Sequence, residues 1–329
     1  MKLASIQTIS EIRPIEGADR IQAATVLGYQ TVIKKGEFRP GDRCVWHEPD
    51  TVVAEKPEYE FLRKQGFRLK VSRFKGQVSQ GLALPMSVLP TADYSLGQDV
   101  TAETGIRKYE KPLSQTLVGV AKGAFPSWLP KTDEPNLRSF PAALDEFIGR
   151  ECVITRKVDG TSGTYYVRGG EFGVCTRNLE LLDDPASMFW RVAREQRVRE
   201  ALATLGGDYA LQGEIHGEGI QGNHLGVKGV RFAAFNLFDI TTHAYASHQA
   251  LQQFCQTTGL SMVQTVWRGE FRFTLAELVQ LASAQDYAPG QPAEGIVIRP
   301  VLEARSKILE SGRLSAKVIS ERYALKYGK

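Results

Sequence analysis

The chain has 329 residues, 42% of them hydrophobic and 24% charged, the composition of an ordinary globular protein able to bury more than one core. Lys and Arg exceed Asp and Glu by 41 − 37 = 4, a mild excess that admits an acidic partner such as nucleic acid or a nucleotide without requiring one. Four scattered cysteines (Cys44, Cys152, Cys175, Cys255) form no C-x-x-C pair, no apolar run is long enough to span a membrane, and MKLASIQTIS lacks a signal-peptide core. Reduced thiols, a cytoplasmic location and no membrane partner are therefore expected, and a cysteine zinc site is not.

Residues 3–12, 23–27, 30–34 and 43–47 read as short strands, broken by turn residues at 16–19, 36–37 and 40–42. Strands at this spacing predict a small β-barrel over residues 1–104. From 105 to 145 the periodicity fades and prolines gather (Pro112, Pro126, Pro130, Pro135, Pro141), which predicts a linker and an irregular lead-in to a second domain, 105–329. There, Asp184-Pro185 predicts the opening of a helix reaching about Leu205. Thr274 to Glu277 fits a capping box, heading a helix with Leu278, Leu281 and Ala282 on one face. Strand-like runs cover 152–154, 209–215, 230–240, 294–298 and 316–319. Without regular βαβ alternation, this is an α+β pattern: antiparallel sheets with flanking helices.

Residues 217–222, GEGIQG, satisfy G-x-G-x-x-G, but the glycine-rich stretch that follows cannot supply the helix a dinucleotide site needs. No phosphate loop, H-E-x-x-H or G-x-S-x-G occurs, and the five histidines read as surface or packing residues. Carboxylates are more informative. Glu214 in LQGEIHG, Asp239 in FNLFD and Glu294 in AEGIVIRP lie in or beside apolar strands, and Asp159 lies two residues from Lys157. Unpaired charge is costly to bury, so such residues are either strand-end surface groups, partners of arginines, or a cluster for a divalent cation and phosphates.

Lys157-Val158-Asp159-Gly160 resembles the K-x-D-G nucleotidyl-acceptor motif of the covalent nucleotidyltransferases, the ATP-dependent RNA and DNA ligases and mRNA capping enzymes. GEIHGEGIQGN (213–223) resembles their third motif in its RNA-ligase form, and FNLFD (235–239) the motif carrying an adenine-stacking aromatic. EGIVIRP (294–300) and AKVIS (316–320) resemble the fourth and fifth motifs. Arg177-Asn178 occupies the place of a phosphate-contacting arginine. The stretches 75–85 and 15–28 are similar to OB-fold modules. An OB module ahead of the transferase resembles a clade of nick-sealing RNA ligases rather than DNA ligases or capping guanylyltransferases, and Ser162, where DNA ligases usually carry arginine, points the same way.

The resemblance implies an N-terminal OB-type barrel, then an adenylyltransferase domain. It further implies a monomer that joins RNA 3′-OH and 5′-phosphate ends at nicks in a duplex, with ATP and Mg²⁺ or Mn²⁺. Lys157 would take AMP and pass it to the RNA 5′-phosphate. Asp159, Glu214 and Glu294 would hold metal or its waters, Gly160 would complete the nucleotide-binding motif, and Phe238 would stack on adenine. Arg177 and Lys317 would neutralise phosphates; Ser315 stands where many relatives carry a further lysine, and Lys326 is the second choice for that contact. A bound cation and Arg177 would depress the Lys157 pKa. Arg191, Arg194 and Arg197 read as a solvated basic face, whereas Lys34, Lys35, Arg68, Lys70, Arg73 and Lys75 suit RNA phosphates. The contrasting reading is an RNA-binding OB protein with an inactive transferase half.

Overall fold

The computed structural model describes residues 2–91, 93–109, 120–309 and 311–327. The chain divides into two compact units, Met1–Lys111 with Glu321–Lys329, and Pro112–Ser320. Residues 110–119 of the expected linker, Pro112 among them, lie outside the described residues.

The first unit is built from short antiparallel strands. Ala4–Thr8, Arg43–His47 and Leu82–Pro85 form one sheet, with Arg43–His47 in the middle, and Glu11–Pro14, Ile21–Val26 and Tyr29–Lys34 form another. The stretch 3–12 is thus two strands, parted at Ile9-Ser10. Alternation sends Ile6 and Val45 into one core and Ala24, Val26, Ile33 and Trp46 into a second, where Tyr29 and Trp46 stack with ring centres 5.4 Å apart. Burial pushes His47 down to about 4, so it packs as a neutral ring against Tyr59.

Two antiparallel sheets make the second unit. The larger runs, in spatial order, Ala121–Ala124, Leu179–Leu181, Glu171–Cys175, Thr161–Arg168, Tyr209–Gly217, Val230–Asp239, Ala244–Tyr245. The smaller runs Thr265–Glu270, Glu151–Lys157, Gly295–Pro300, Ala316–Ile319. One face of the larger sheet, with Leu211, Ile215 and Phe232, packs on Trp190, Val192, Leu202, Leu251 and Phe254. One face of the smaller, with Ile154, Ile296, Ile298 and Val318, packs on Leu278 and Ala282. Because side chains alternate along a strand, Glu214 and Lys157 necessarily point away from these helix-covered faces. The segment 158–160 is where the chain leaves the smaller sheet and enters the larger one at Thr161.

Thr274 forms both halves of the expected capping box with Glu277 and heads the helix Leu275–Ala284. The helix expected over 184–205 is instead two, Met188–Glu195 and Val198–Ala203, because Arg197 adopts a left-handed backbone, φ 53°. Asp184 caps the turn ahead of them by accepting from the Ala186 N–H at 2.8 Å. Among the expected basic face, Arg194 pairs with Asp183 and lies against Trp190, and Arg191 approaches Glu195 at 4.0 Å.

Candidate active site

Lys157 ends its strand opposite Gly295, the last rung of that ladder. Its Nζ donates to Glu294 Oε2 at 2.7 Å, with side chains only 23% and 16% exposed. Burial alone would push the ammonium pKa down, but Glu294, Glu214 and Asp159 outweigh it and hold the group above the ordinary lysine range. The protein's own charges therefore favour the ammonium, opposite to the depression expected with a cation and Arg177 nearby. Arg177 itself pairs with Asp133 at 2.8 Å.

Two glycines permit close strand approach around the lysine. A Cβ on Gly160 would lie 2.3 Å from the Ile215 carbonyl oxygen and 2.9 Å from Glu214 Cγ, so the K-x-D-G turn packs directly on the Glu214 strand. A Cβ on Gly295, φ +155°, would lie 2.2 Å from the Val318 carbonyl oxygen. Asp159 is 4% exposed, and its Oδ2 is 2.7 Å from His224 Nδ1. His224 stands on the loop after GEIHG, which the Asn223 side chain braces by bonding both the Val227 N–H and C=O. The GEGIQG stretch is a turn with no helix behind it, as expected. His224 is a site residue that reading the histidines as surface or packing groups misses.

A second charged layer adjoins the first. Arg299 donates to Glu134 at 2.7 Å, to Ser315 Oγ at 2.9 Å and to the Phe235 carbonyl at 2.9 Å. Burial by itself would push the Glu134 carboxyl up, but Arg299 and Arg313 hold it below the usual carboxylate range. Ser315, where the resemblance raised the expectation of a further lysine, serves as the acceptor for a buried arginine. The Lys317 N–H donates to the Pro135 carbonyl at 2.9 Å, which fixes that strand to the lead-in segment. Lys326 falls in the other unit, exposed and near the Tyr327 ring.

An OB-fold domain model matches residues 3–86, and an RNA ligase model matches residues 150–319. Solved structures of Naegleria gruberi RNA ligase are similar over nearly the whole chain. The form with PPi is 36% identical, with TM-score 0.86, covering 98% of this chain and 98% of that one. A mutant with ATP and Mn is 35% identical, TM-score 0.85, covering 99% and 98%. Another with AMP and Mn is 35% identical, TM-score 0.87, covering 98% of each. No curated protein matches significantly. The chain belongs to the RNA ligase family. Its fold is accordingly α+β, with an N-terminal OB domain and a nucleotidyltransferase domain, and it is an RNA ligase.

The ligase does not place every expected residue at the lysine. Phe238 is 1% exposed, packed with Leu129, Tyr166, Cys175 and Ala210, and edge-on to both His243 and Tyr245. Strand register pairs it with Ala210, four residues from Glu214 and so about 13 Å along the strand. It borders a cavity of about 610 Å³ whose lining includes Lys131, Glu134 and Arg313 but not Lys157, Glu214, Glu294 or Lys317. Phe235, at the irregularity between Gln212 and Gly213 in the ladder, is the half-buried aromatic of that strand, its ring 5.8 Å from the Arg299 guanidinium carbon. Among the described residues no group of three or more His, Cys, Asp or Glu could hold a metal by itself. The four thiols are free and buried; burial pushes Cys44 up to about 12 and Cys152 and Cys255 to about 11, which leaves them unsuited to nucleophilic chemistry.

Phe238→Ala is expected to lower stability by about 3–5 kcal/mol, the usual result of emptying a buried aromatic site. Phe235→Ala is expected to leave the melting temperature nearly unchanged and raise the KM for ATP about tenfold, within the range for a lost base–aromatic stack. Thermal melts and ATP titrations of both variants check the assignment; the reverse pattern would restore Phe238 as the stacking ring.

Proposed function

We propose that this RNA ligase uses Lys157 as a nucleophile toward ATP, and that Glu294, Glu214 and Asp159 manage charge around it. The observation that carries the reading is the convergence of these three carboxylates on one buried amine. The amine attacks the α-phosphorus; an N–P bond forms, the bond to pyrophosphate breaks, and the ammonium proton must leave first. Glu294, at 2.7 Å, is the base within reach. AMP then passes to an RNA 5′-phosphate, and a 3′-OH displaces it to form the phosphodiester.

The three carboxylates are hard oxygen donors of the kind Mg²⁺ and Mn²⁺ prefer. As they form no protein-only cage, the fit is to an ion held by one or two carboxylates together with nucleotide phosphates. Such an ion supplies charge neutralisation on those phosphates. Arg177 and Lys317 are proposed phosphate contacts, one as a fork and one as a point charge. Phe235 replaces Phe238 as the proposed adenine platform.

The boundary between binding and catalytic domains is proposed near residue 104, and the substrate is proposed to be a nicked duplex sealed by a monomer. No helix of the described residues is long and apolar enough to cross a membrane, and the four free thiols suit a reducing cytoplasm. Lys34, Lys35, Lys70, Arg73 and Lys75 are exposed on the OB unit and remain candidates for RNA phosphates. Arg68 drops out: it pairs with Asp50 at 2.7 Å and lies 3.5 Å above the Tyr109 ring.

With α-labelled ATP and Mn²⁺, the unaltered chain is expected to carry a covalent label through denaturing electrophoresis, and Lys157→Ala to carry none. Glu294→Ala and Glu214→Ala are each expected to slow labelling at least about tenfold, equivalent to roughly 1.4 kcal/mol. Label persisting on the alanine variant at another lysine would refute the nucleophile. For the OB unit, the double change Arg73→Ala with Lys75→Ala is expected to leave labelling intact. It should reduce the dependence of log K for RNA on log salt by about 1.8, near 0.9 per phosphate contact on duplex. An unchanged salt slope would remove Arg73 and Lys75 from the RNA surface.

A further inference from the structure

Tyr287 lies on the short strand Asp286–Ala288, outside the short motifs around Lys157, Glu214, Phe238, Glu294 and Lys317, yet its hydroxyl touches three site residues. It donates to the Lys157 carbonyl oxygen at 2.6 Å, and accepts from the Asp159 N–H at 2.8 Å and the Glu294 N–H at 3.1 Å. A phenol has one hydrogen to give and two lone pairs to receive, so these bonds use its full capacity. All three partners are main-chain groups at or just beyond the last ladder rung, Lys157 to Gly295. There the two strands would otherwise be free to part, at the point where the amine and its carboxylate must meet.

The tyrosine is itself held from several sides. The carbonyl of its neighbour Asp286 accepts from Arg156 Nη1 at 2.7 Å, Asp286–Ala288 pairs with Gln291–Pro292, and the Ala293 N–H donates to the Gln285 carbonyl at 2.9 Å. The Glu294 carbonyl in turn accepts from the Ser320 N–H at 2.9 Å, which ties the same residue to the end of the neighbouring strand. Glu294 is thus fixed at its N–H by Tyr287 and at its C=O by Ser320.

We infer that Tyr287 is a positioning residue for nucleotidyl transfer to lysine: one hydroxyl sets the spacing between the Lys157–Asp159 turn and Glu294. The inference rests on the reading of Lys157 as nucleophile. Tyr287 needs no contact with ATP in this role. Its effect therefore falls on the rate of the chemical step and not on nucleotide affinity, and on the step that uses the free amine more than on later ones.

The test is Tyr287→Phe in the full chain, which keeps the ring and removes the hydroxyl. Single-turnover labelling with α-labelled ATP is expected to slow at least tenfold, with the KM for ATP within threefold of the unaltered chain. Sealing of a nicked RNA duplex already carrying 5′-adenylyl groups bypasses the amine and is expected to fall less than threefold. Labelling at the unaltered rate, or an equal loss in labelling and in pre-adenylylated sealing, would overturn the proposal. If the unaltered chain takes no label, the nucleophile reading itself fails, which is a separate result. Should the variant not fold, hydrogen exchange in the unaltered chain decides: slow exchange at the Asp159 and Glu294 amides supports the clamp, and exchange at the unprotected rate overturns it.

Discussion

A lysine ammonium drawn out of water needs compensating negative charge, and the catalytic half of this ligase is arranged around supplying it. Glu294 provides the direct partner at 2.7 Å, while Glu214 and Asp159 add charge from the other sheet and the connecting turn. A Cβ on Gly160 would collide with the Glu214 strand, and one on Gly295 with the Val318 carbonyl of the neighbouring strand. The sign of the coupling follows. A lysine whose folded pKa is raised contributes stability that is fully present below its unfolded value and is lost only as pH rises through the folded one. The ground state is therefore settled at neutral pH, and in the proposed reaction the arrangement that steadies Lys157 must be undone before the amine attacks. On that proposal, a positive charge that draws the carboxylates to itself also frees the amine.

The neighbouring Glu134–Arg299–Arg313 layer solves a mechanical problem of the same kind. Arg299 joins a residue of the lead-in, a carbonyl of the larger sheet and Ser315, just ahead of the last strand of the smaller one. Removing one member would leave buried charge uncompensated, which typically costs about 3–5 kcal/mol. Ser315 faces an arginine already paired with Glu134 and accepts from its Nε. It also holds the segment bearing Asp133, to which Arg177 is paired, against both sheets.

Features fixed by neighbours in sequence are legible without the fold. The capping box at Thr274 appears where pattern places it, since it depends on local geometry alone, and the strand Ala316–Ile319 falls on its apolar run. The motifs around Lys157, Glu214 and Glu294 are legible for another reason: each needs a particular residue beside a particular glycine. What pattern cannot supply are contacts made at a distance. His224 meets Asp159 across 65 residues and Tyr287 meets Lys157 across 130, and neither carries a local signature. Arg197 breaks its helix through a left-handed backbone that its side chain does not announce. Motif placement favours Phe238 over Phe235, but the ladder irregularity at Gln212 to Gly213 resets the alternation, and Phe238 is left in the packed cluster.

The charge state of Lys157 in the protein alone is the quantity on which the rest depends. Carbon-13 NMR of lysine-labelled protein, with Lys157→Met used to assign its resonance, reports that state directly as pH is raised. Lys157 is expected to stay charged beyond the ordinary lysine range without a divalent cation. It is expected to titrate earlier once diamagnetic Mg²⁺ is added with a non-hydrolysable ATP analogue. Titration of Lys157 below the ordinary lysine range in the protein alone would contradict this picture of the site.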